Sequence, residues 1–100
     1  MSKSVLTMKE IPLTERPYEK AEKLGISALS DAELLAIILQ SGQKGVTVVE
    51  LAHKLLLEAG SLDGLFDMSL EELRSISGIG RVKALNVTAA LELGQRASAK

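Results

Sequence analysis

The amino-acid sequence predicts a small all-helical domain, on three observations about its composition and patterning. One hundred residues with an apolar share of 46% are enough to fill one modest core. Because the chain has no Cys, no Trp, one Tyr and one Phe, that core must consist mostly of Leu, Ile, Val and Ala, which favours helices. No segment alternates apolar and polar residues over a useful length, so no sheet is predicted. We therefore expect a single bundle of five or six helices.

The same composition excludes several classes of function. Without cysteine the chain has neither a disulfide framework nor a zinc–thiolate site, and His53 is its only imidazole. We accordingly expect no metal site and no cofactor. The longest unbroken apolar run, residues 34–39, is far shorter than the roughly 18 residues that a membrane span requires. No secretory segment opens the sequence, so we expect a cytoplasmic protein.

The sequence divides into an arm and a helical domain. Residues 1–15 show no sustained period and are interpreted as a mobile N-terminal arm, whereas residues 16–100 are predicted to form the helical domain. Pro17 suits the first turn of a helix, where a missing N–H costs nothing, and Gly25 is expected to end that helix.

Three later helix starts share one pattern, a Ser or Thr followed three residues later by Glu. In such a capping box the hydroxyl accepts an N–H of the first turn, while the Glu side chain reaches back to the cap. The three pairs are Ser30 and Glu33, Thr47 and Glu50, and Ser69 and Glu72. A short connecting helix is expected at residues 61–66 and a last helix at about residues 81–97. The last helix is expected to bury Val82, Leu85, Val87, Ala89, Ala90 and Leu93.

A Gly-Ile-Gly turn before the last helix is the most specific local pattern in the chain. Ile76 and Ile79 are expected to anchor this turn in the core. Gly78 and Gly80 permit backbone angles that bulkier residues avoid, and they leave no side chain between the main chain and an approaching group. Ala84 would let the last helix pack closely against its neighbour.

The start of the last helix is predicted to bind phosphate. Its first N–H groups have no partners within the helix and lie at the positive end of the helix dipole. The predicted phosphate-binding residues are Gly78, Ile79, Gly80, Arg81, Lys83, Arg74 and Lys44. Residues 78–83 are called the hairpin below. A tight turn that serves packing alone is the alternative, whereas a dinucleotide-binding fingerprint is excluded because no strand precedes it and a third glycine is missing.

The distribution of charge supports this placement. Residues 1–73 hold seven Lys or Arg and twelve Asp or Glu, whereas residues 74–100 hold five basic residues and Glu92 alone. The overall net charge of −1 therefore conceals a net charge of +4 in the segment that holds the hairpin. Such a positive segment attracts a polyanion.

Two helix–loop–helix units are recognisable, which suggests a pseudo-repeat. The first loop, residues 41–45, would correspond to the hairpin. The two units would then pack about a local two-fold axis, with both loops on the same side of the molecule. Lys44 would reach a second phosphate, although a plain connection between two helices fits the same residues.

These residues resemble a known family. The hairpin is similar to the helix-hairpin-helix motif of DNA repair and recombination proteins, and the whole chain resembles the N-terminal domain of the bacterial RadC family. The stretches that carry the resemblance are Pro12 and residues 15–20, 24–25, 29–39, 41–42, 76–84 and 90–94. In that family this domain precedes a JAMM-type metalloprotease-like domain, whose His-x-His and distant Asp zinc ligands are not found in this chain. The resemblance therefore implies an isolated N-terminal part.

The resemblance also differs in detail at the hairpin. Many helix-hairpin-helix motifs have Pro after the second Gly, where this sequence has Arg81, which adds a charge and removes some rigidity. In related motifs a monovalent cation can be held by hairpin carbonyls, which here would be those of Arg74, Ile76 and Ile79.

The function expected from these observations is that of a non-enzymatic, sequence-non-specific DNA-binding module of a RadC-like DNA repair protein. The alternative is a protein-interaction or regulatory domain that docks on the JAMM-type domain, with a purely structural hairpin. Catalysis has no support, because no nucleophile has a base beside it and Ser30, Ser61 and Ser69 are expected to act as helix caps. His53 is expected to be a surface or boundary residue.

Overall fold

The computed structural model of the chain describes residues 16–99. The predicted arm, residues 1–15, and Lys100 lie outside the described residues. The described part contains six α-helices, which are α1 Pro17–Leu24, α2 Asp31–Leu39, α3 Val48–Ala59, α4 Gly64–Asp67, α5 Leu70–Arg74 and α6 Arg81–Ser98. A 3-10 helix, Ile26–Ala28, lies between α1 and α2. Within residues 16–99 there is no strand, only an isolated β-bridge between Gln43 and Val46, so the predicted all-helical class and helix number are confirmed.

The predicted helix starts are confirmed. Ser30 Oγ accepts the N–H of Glu33 at 3.2 Å, and the N–H of Ser30 donates to Glu33 Oε1 at 2.8 Å. The same reciprocal pair of hydrogen bonds caps the start of α3, between Thr47 and Glu50, and the start of α5, between Ser69 and Glu72. A cap of this kind contributes about 1 kcal/mol to stability. Local sequence alone therefore sets where these three helices begin.

The first helix also follows the prediction. Pro17 occupies the first helical position of α1, and Gly25 ends the helix with a φ of 93°. The connecting helix α4 begins later than expected, and its N-cap residue is Asp63. The hydroxyl of Ser61 lies before this cap and accepts the N–H of Gly64, the first helical residue, at 3.0 Å. No helix of the described part is long and apolar enough to cross a membrane.

The core lies where α2 packs against α3 and α6, and where α5 packs against α6. Its largest fully buried side chains are Leu39, Leu51, Leu55, Leu65, Leu73, Ile79 and Val87. Each of these contributes about 1.5–3 kcal/mol through removal of its apolar surface from water. Because Ile79 belongs to this set, the core extends directly under the hairpin.

The predicted buried face of α6 is wrong in part. Val82, Leu85 and Leu93 are 61%, 42% and 68% exposed, and Ala89 is exposed as well. The buried side of α6 instead carries Ala84 and Val87. At about 100° per residue, Val82, Leu85, Ala89 and Leu93 form one stripe that lies opposite the buried pair. The helix therefore has two apolar sides, of which the described chain covers one.

Candidate phosphate-binding site

The hairpin is fixed to the core by two isoleucines. Ile76 and Ile79 are both buried, and the N–H of Ile79 donates to the carbonyl oxygen of Ile76 at 2.9 Å. Ala84, in the first turns of α6, is completely buried. The predicted anchoring by Ile76 and Ile79 and the predicted close packing at Ala84 are therefore confirmed, and α6 packs against α5 across the turn.

The two glycines of the hairpin serve different purposes. Gly78 has a φ of +94°, and a Cβ built there would lie 2.8 Å from Leu51 Cδ1 and 3.0 Å from Gln43 Oε1. Gly80 has φ −90° and ψ −166°, and apart from its chain neighbours no atom of the part of the chain that the structure describes lies within 4 Å of its Cβ position. The expectation that both glycines need special backbone angles is confirmed for Gly78 and wrong for Gly80. At Gly80 the missing side chain leaves the main chain open to an approaching group.

The first turn of α6 carries unpaired backbone donors. No side chain among residues 16–99 caps this helix, in contrast to the capping boxes of α2, α3 and α5. The N–H of Ala84 donates to the carbonyl oxygen of Gly80 at 3.0 Å, so the N–H groups before it have no partner inside the helix. They lie at the positive end of the dipole of an 18-residue helix. An anion at this position would be stabilised.

The basic side chains of this turn have different surroundings. Arg81 is exposed to solvent. Lys83 is half-buried, and its Nζ donates to Ser41 Oγ in the first loop at 3.1 Å. The ammonium group of Lys83 therefore lies between the hairpin and the first loop.

The two loops lie side by side. Besides the contact of Lys83 with Ser41, Gln43 Nε2 lies 3.5 Å from the Oγ of Ser77, the residue before the hairpin. The side chain of Gln43 also packs against Gly78. The expectation that both loops lie on the same side of the molecule is confirmed, and the first loop is placed at the proposed anion site.

The remaining predicted site residues are less closely tied to the hairpin. Lys44 lies in the first loop and is exposed, next to Gly45 with its φ of 82°. Arg74 is the last residue of α5 and is exposed, and no hydrogen bond joins it to the hairpin within residues 16–99. The structure thus places Lys44 on the loop that adjoins the hairpin, while Arg74 stays at its periphery.

One basic residue at the site was missed by the sequence reasoning. Lys54 Nζ, on α3, lies 3.5 Å from the carbonyl oxygen of Ser77. Lys54 follows Leu51 by three positions, and side chains three apart share a helix face. Leu51 is the residue that packs against Gly78. The three-residue spacing of Leu51 and Lys54 was therefore visible in the sequence. Only the packing of α3 against the hairpin shows that this spacing brings Lys54 to the site.

Two carbonyls just before the hairpin have partners in the chain. The carbonyl oxygen of Ile76, one of the three that the resemblance implied as ligands of a monovalent cation, accepts the N–H of Ile79 at 2.9 Å. The next carbonyl, that of Ser77, lies 3.5 Å from Lys54 Nζ. Lys54 therefore places a positive charge beside the residue that follows Ile76.

Elsewhere in the described residues, the polar side chains that the sequence raised as candidates for catalysis or metal binding are His53, Ser30, Ser61 and Ser69. His53 is exposed on α3, as predicted. The predicted capping roles of Ser30 and Ser69 are confirmed, since each hydroxyl accepts the N–H of the residue three positions on. The capping role predicted for Ser61 is wrong, because Asp63 is the N-cap of α4, although the Ser61 hydroxyl accepts the N–H of Gly64. Residues 16–99 contain no group of three or more His, Asp or Glu side chains arranged to hold a metal ion.

Over the described range, 16–99, the fold is all-helical, and two interhelical loops adjoin at a helix start that no described side chain caps. The sequence matches the family described as UPF0758 N-terminal over residues 8–85. The chain belongs to this family, which is the RadC-like family, and the resemblance seen in the sequence is confirmed at that level.

UPF0758 proteins of several bacteria are similar in sequence to this chain. The chain is 44% identical over 95 residues to a UPF0758 protein of Desulforudis audaxviator, covering 95% of this chain and 41% of the relative. It is 45% identical over 89 residues to one of Clostridium botulinum, with coverages of 89% and 39%. For one of Clostridium kluyveri the identity is 42% over 94 residues, with coverages of 94% and 41%. The chain thus spans about two-fifths of the length of these relatives. No solved structure shows a significant match to it.

Proposed function

We propose that this domain is a non-enzymatic module that binds DNA through its phosphates, without reading the base sequence. The observation that carries the proposal is the start of α6. No side chain of the described residues caps its first turn, Gly80 leaves the main chain open, and Arg81 and Lys83 lie in the same turn. Backbone N–H groups, the positive end of the helix dipole and two basic side chains therefore occupy the same turn.

The choice of DNA as the anion rests on the arrangement of the two loops. A polyanion can contact the hairpin and the first loop at once, since Lys83 joins them through Ser41. Lys44 and Lys54 add positive charge on the neighbouring elements. Contacts from main-chain N–H groups and cations to phosphates fix the position of a duplex but carry no sequence information. The resemblance of the hairpin to helix-hairpin-helix motifs of DNA repair proteins supports the same choice.

A binding role without catalysis agrees with the use made of the hydroxyl side chains. Ser30, Ser61 and Ser69 accept backbone N–H groups at helix starts. Their oxygens are therefore engaged by backbone N–H groups rather than held beside a general base.

The proposal is tested by charge reversal at the first turn of α6. The double substitution Arg81→Glu with Lys83→Glu should abolish the binding of a short fluorescein-labelled duplex, measured by fluorescence anisotropy at low salt. The matched control is Lys23→Glu with Arg96→Glu, which makes the same change in net charge on α1 and at the far end of α6. Thermal unfolding followed by circular dichroism should show that both double variants remain folded. Equal affinity of the hairpin variant and the unmodified chain would refute DNA binding at this site.

The salt dependence gives a second measurement of the same site. The logarithm of the affinity should fall linearly with the logarithm of the salt concentration, because each phosphate contact releases counterions. Replacing Lys83 by Gln should reduce the magnitude of this slope by about one, as expected for loss of one phosphate contact. The control Lys23→Gln should leave the slope unchanged.

The second candidate function, a domain that docks on another protein region, is favoured by the exposed stripe of α6. Val82, Leu85, Ala89 and Leu93 present apolar surface to solvent along one side of this helix. In the relatives, about three-fifths of the chain lies outside the matched region, which leaves room for a docking partner such as a JAMM-type domain. In this alternative the hairpin only joins α5 to α6.

Backbone amide chemical shifts separate the two candidates. Titration with a DNA duplex should shift the amides of residues 78–83 if the hairpin binds phosphate. Titration with the C-terminal region of a full-length relative should instead shift residues around Leu85 and Leu93 if the stripe is a docking surface. Shifts at the stripe together with no response of the hairpin to DNA would favour the second candidate.

A further inference from the structure

We infer that the first loop is a positioning element for the phosphate site. In this role Ser41 orients the ammonium of Lys83, and Gln43 fixes the position of the residues at the start of the hairpin. This inference rests on the proposed function and adds two residues to it. Ser41 and Gln43 carry no charge, so their contribution differs from that of the basic residues already assigned.

The contact between Ser41 and Lys83 joins residues 42 positions apart. The lysine side chain is a flexible four-carbon stem, and its rotamers must be restricted before its ammonium can contact a ligand at a fixed place. Ser41 Oγ accepts from Lys83 Nζ at 3.1 Å, and Lys83 is half-buried. The hydroxyl therefore holds the ammonium near the first turn of α6 before any ligand arrives, which lowers the entropy lost on binding.

The contact between Gln43 and the hairpin fixes the other end of the site. Gln43 Oε1 lies 3.0 Å from the position that a Cβ on Gly78 would occupy, and Gln43 Nε2 lies 3.5 Å from Ser77 Oγ. Leu51 Cδ1 lies 2.8 Å from the same Cβ position. A residue of the first loop and a residue of α3 therefore both pack against Gly78, where a side chain would otherwise project.

The first loop is itself built to be rigid. The N–H of Gln43 donates to the carbonyl oxygen of Val46 at 3.0 Å, and the N–H of Val46 donates back at 2.9 Å. A Cβ on Gly42 would collide with the carbonyl oxygen of Val46, so the chain turns there without room for a side chain. A loop closed in this way can hold Ser41 and Gln43 at constant positions.

The two contacts fall on opposite ends of the hairpin. Gln43 holds the residues where the hairpin begins, and Ser41 holds a side chain of the turn in which it ends. The first loop consequently sets the geometry of the anion site without supplying its charge. Loss of either contact should weaken DNA binding while the number of phosphate contacts stays the same.

The test compares Ser41→Ala with Ser41→Thr, which keeps the hydroxyl. Ser41→Ala should weaken binding of the labelled duplex about threefold, as expected for loss of one orienting hydrogen bond at an exposed site. The slope of affinity against salt should be unchanged, because Lys83 keeps its charge. Ser41→Thr should restore the affinity. Ser27→Ala, on the exposed 3-10 helix, makes the same chemical change elsewhere and should have no effect.

A second substitution tests the other contact. Gln43→Ala should also weaken binding with an unchanged salt slope, and it should shift the amides of Gly78 and Ile79 in the free protein. Because Ser41 and Gln43 are both exposed, we expect each variant to remain folded. Thermal unfolding of each variant checks this.

The results distinguish a failure of the proposed DNA binding from a failure of the positioning role of Ser41 and Gln43. If Arg81→Glu with Lys83→Glu leaves DNA affinity unchanged, the proposed function itself fails. If that variant loses binding while Ser41→Ala and Gln43→Ala bind as tightly as Ser27→Ala, the function stands and the positioning role is refuted. A loss in Ser41→Ala that Ser41→Thr does not restore also refutes the role of the hydroxyl.

Discussion

The ammonium of Lys20 lies 2.9 Å from both carboxylate oxygens of Glu33. The same carboxylate accepts the N–H of Ser30 at 2.8 Å and so completes the capping box of α2. Glu33 is buried, and Lys20 is largely covered. One side chain therefore closes the start of α2 and attaches α1 to it, which makes Glu33 a sensitive point for the stability of the domain.

The free energy of unfolding should depend on pH through Glu33. The N–H of Ser30, and after it the ammonium of Lys20, lower the pKa of Glu33 below its ordinary value of 4.5, although burial opposes this. Because the pKa is lower in the folded state, the carboxylate stabilises the fold fully above the unfolded-state pKa. This contribution is lost as the pH falls through the folded-state pKa. Urea unfolding at a series of acidic pH values should show the decline.

The control for this prediction is Glu33→Gln. The amide does not titrate, so the variant should be less stable at neutral pH and should show a shallower decline of stability with acid. An equally steep decline in the variant would assign the pH dependence to other carboxylates.

Removal of the positive charge of Lys20, the ion-pair partner of Glu33, should destabilise the domain more than removal of the positive charge of Lys23. Lys20→Met leaves Glu33 buried and without its cation, and we expect a loss of about 1–3 kcal/mol. Lys23→Met, on the same helix but exposed, should change stability by less than about 0.5 kcal/mol. Denaturant unfolding at neutral pH gives both values, and equal effects would contradict a specific role for Lys20.

The two hairpin glycines should respond to alanine in opposite ways. Gly78→Ala places a Cβ at a φ of +94° and 2.8 Å from Leu51 Cδ1, so we expect a loss of stability of about 2 kcal/mol or more. Gly80→Ala meets open space and should cost less than about 1 kcal/mol, but its methyl group would obstruct an approaching phosphate. Unfolding curves and duplex binding should therefore separate the two variants. A Gly80→Ala variant with full DNA affinity would show that no ligand approaches the main chain there.

The core beneath the hairpin should be the most sensitive part of α3. Leu51 is completely buried, and Leu51→Ala should reduce the free energy of unfolding by about 2–5 kcal/mol. Leu57 lies on the same helix but is 81% exposed, so Leu57→Ala should have little effect. Since Leu51 also encloses Gly78, its replacement should broaden or shift the amide signals of residues 77–79. Undisturbed hairpin signals would show that the turn does not depend on α3.

Local chemistry allowed much of the fold to be predicted from the sequence. Ser30, Thr47 and Ser69 cap helices because each contacts an N–H only three residues away, so the interaction needs no information from the rest of the chain. The buried side of α6 could not be predicted in the same way. The helix carries apolar residues on two opposite sides, and spacing cannot tell whether Val87 or Leu85 faces the core.

The sequence by itself determined the helices, their caps, the position of the hairpin and its positive charge, because these depend on neighbours along the chain. Tertiary structure alone decided that Ser41 meets Lys83 and that Gln43 and Lys54 meet Ser77, across separations of 42, 34 and 23 residues. It also decided that Gly78, and not Gly80, lies against packed side chains. These contacts depend on how α2, α3 and α6 pack together, and burial of the shared core fixes that arrangement.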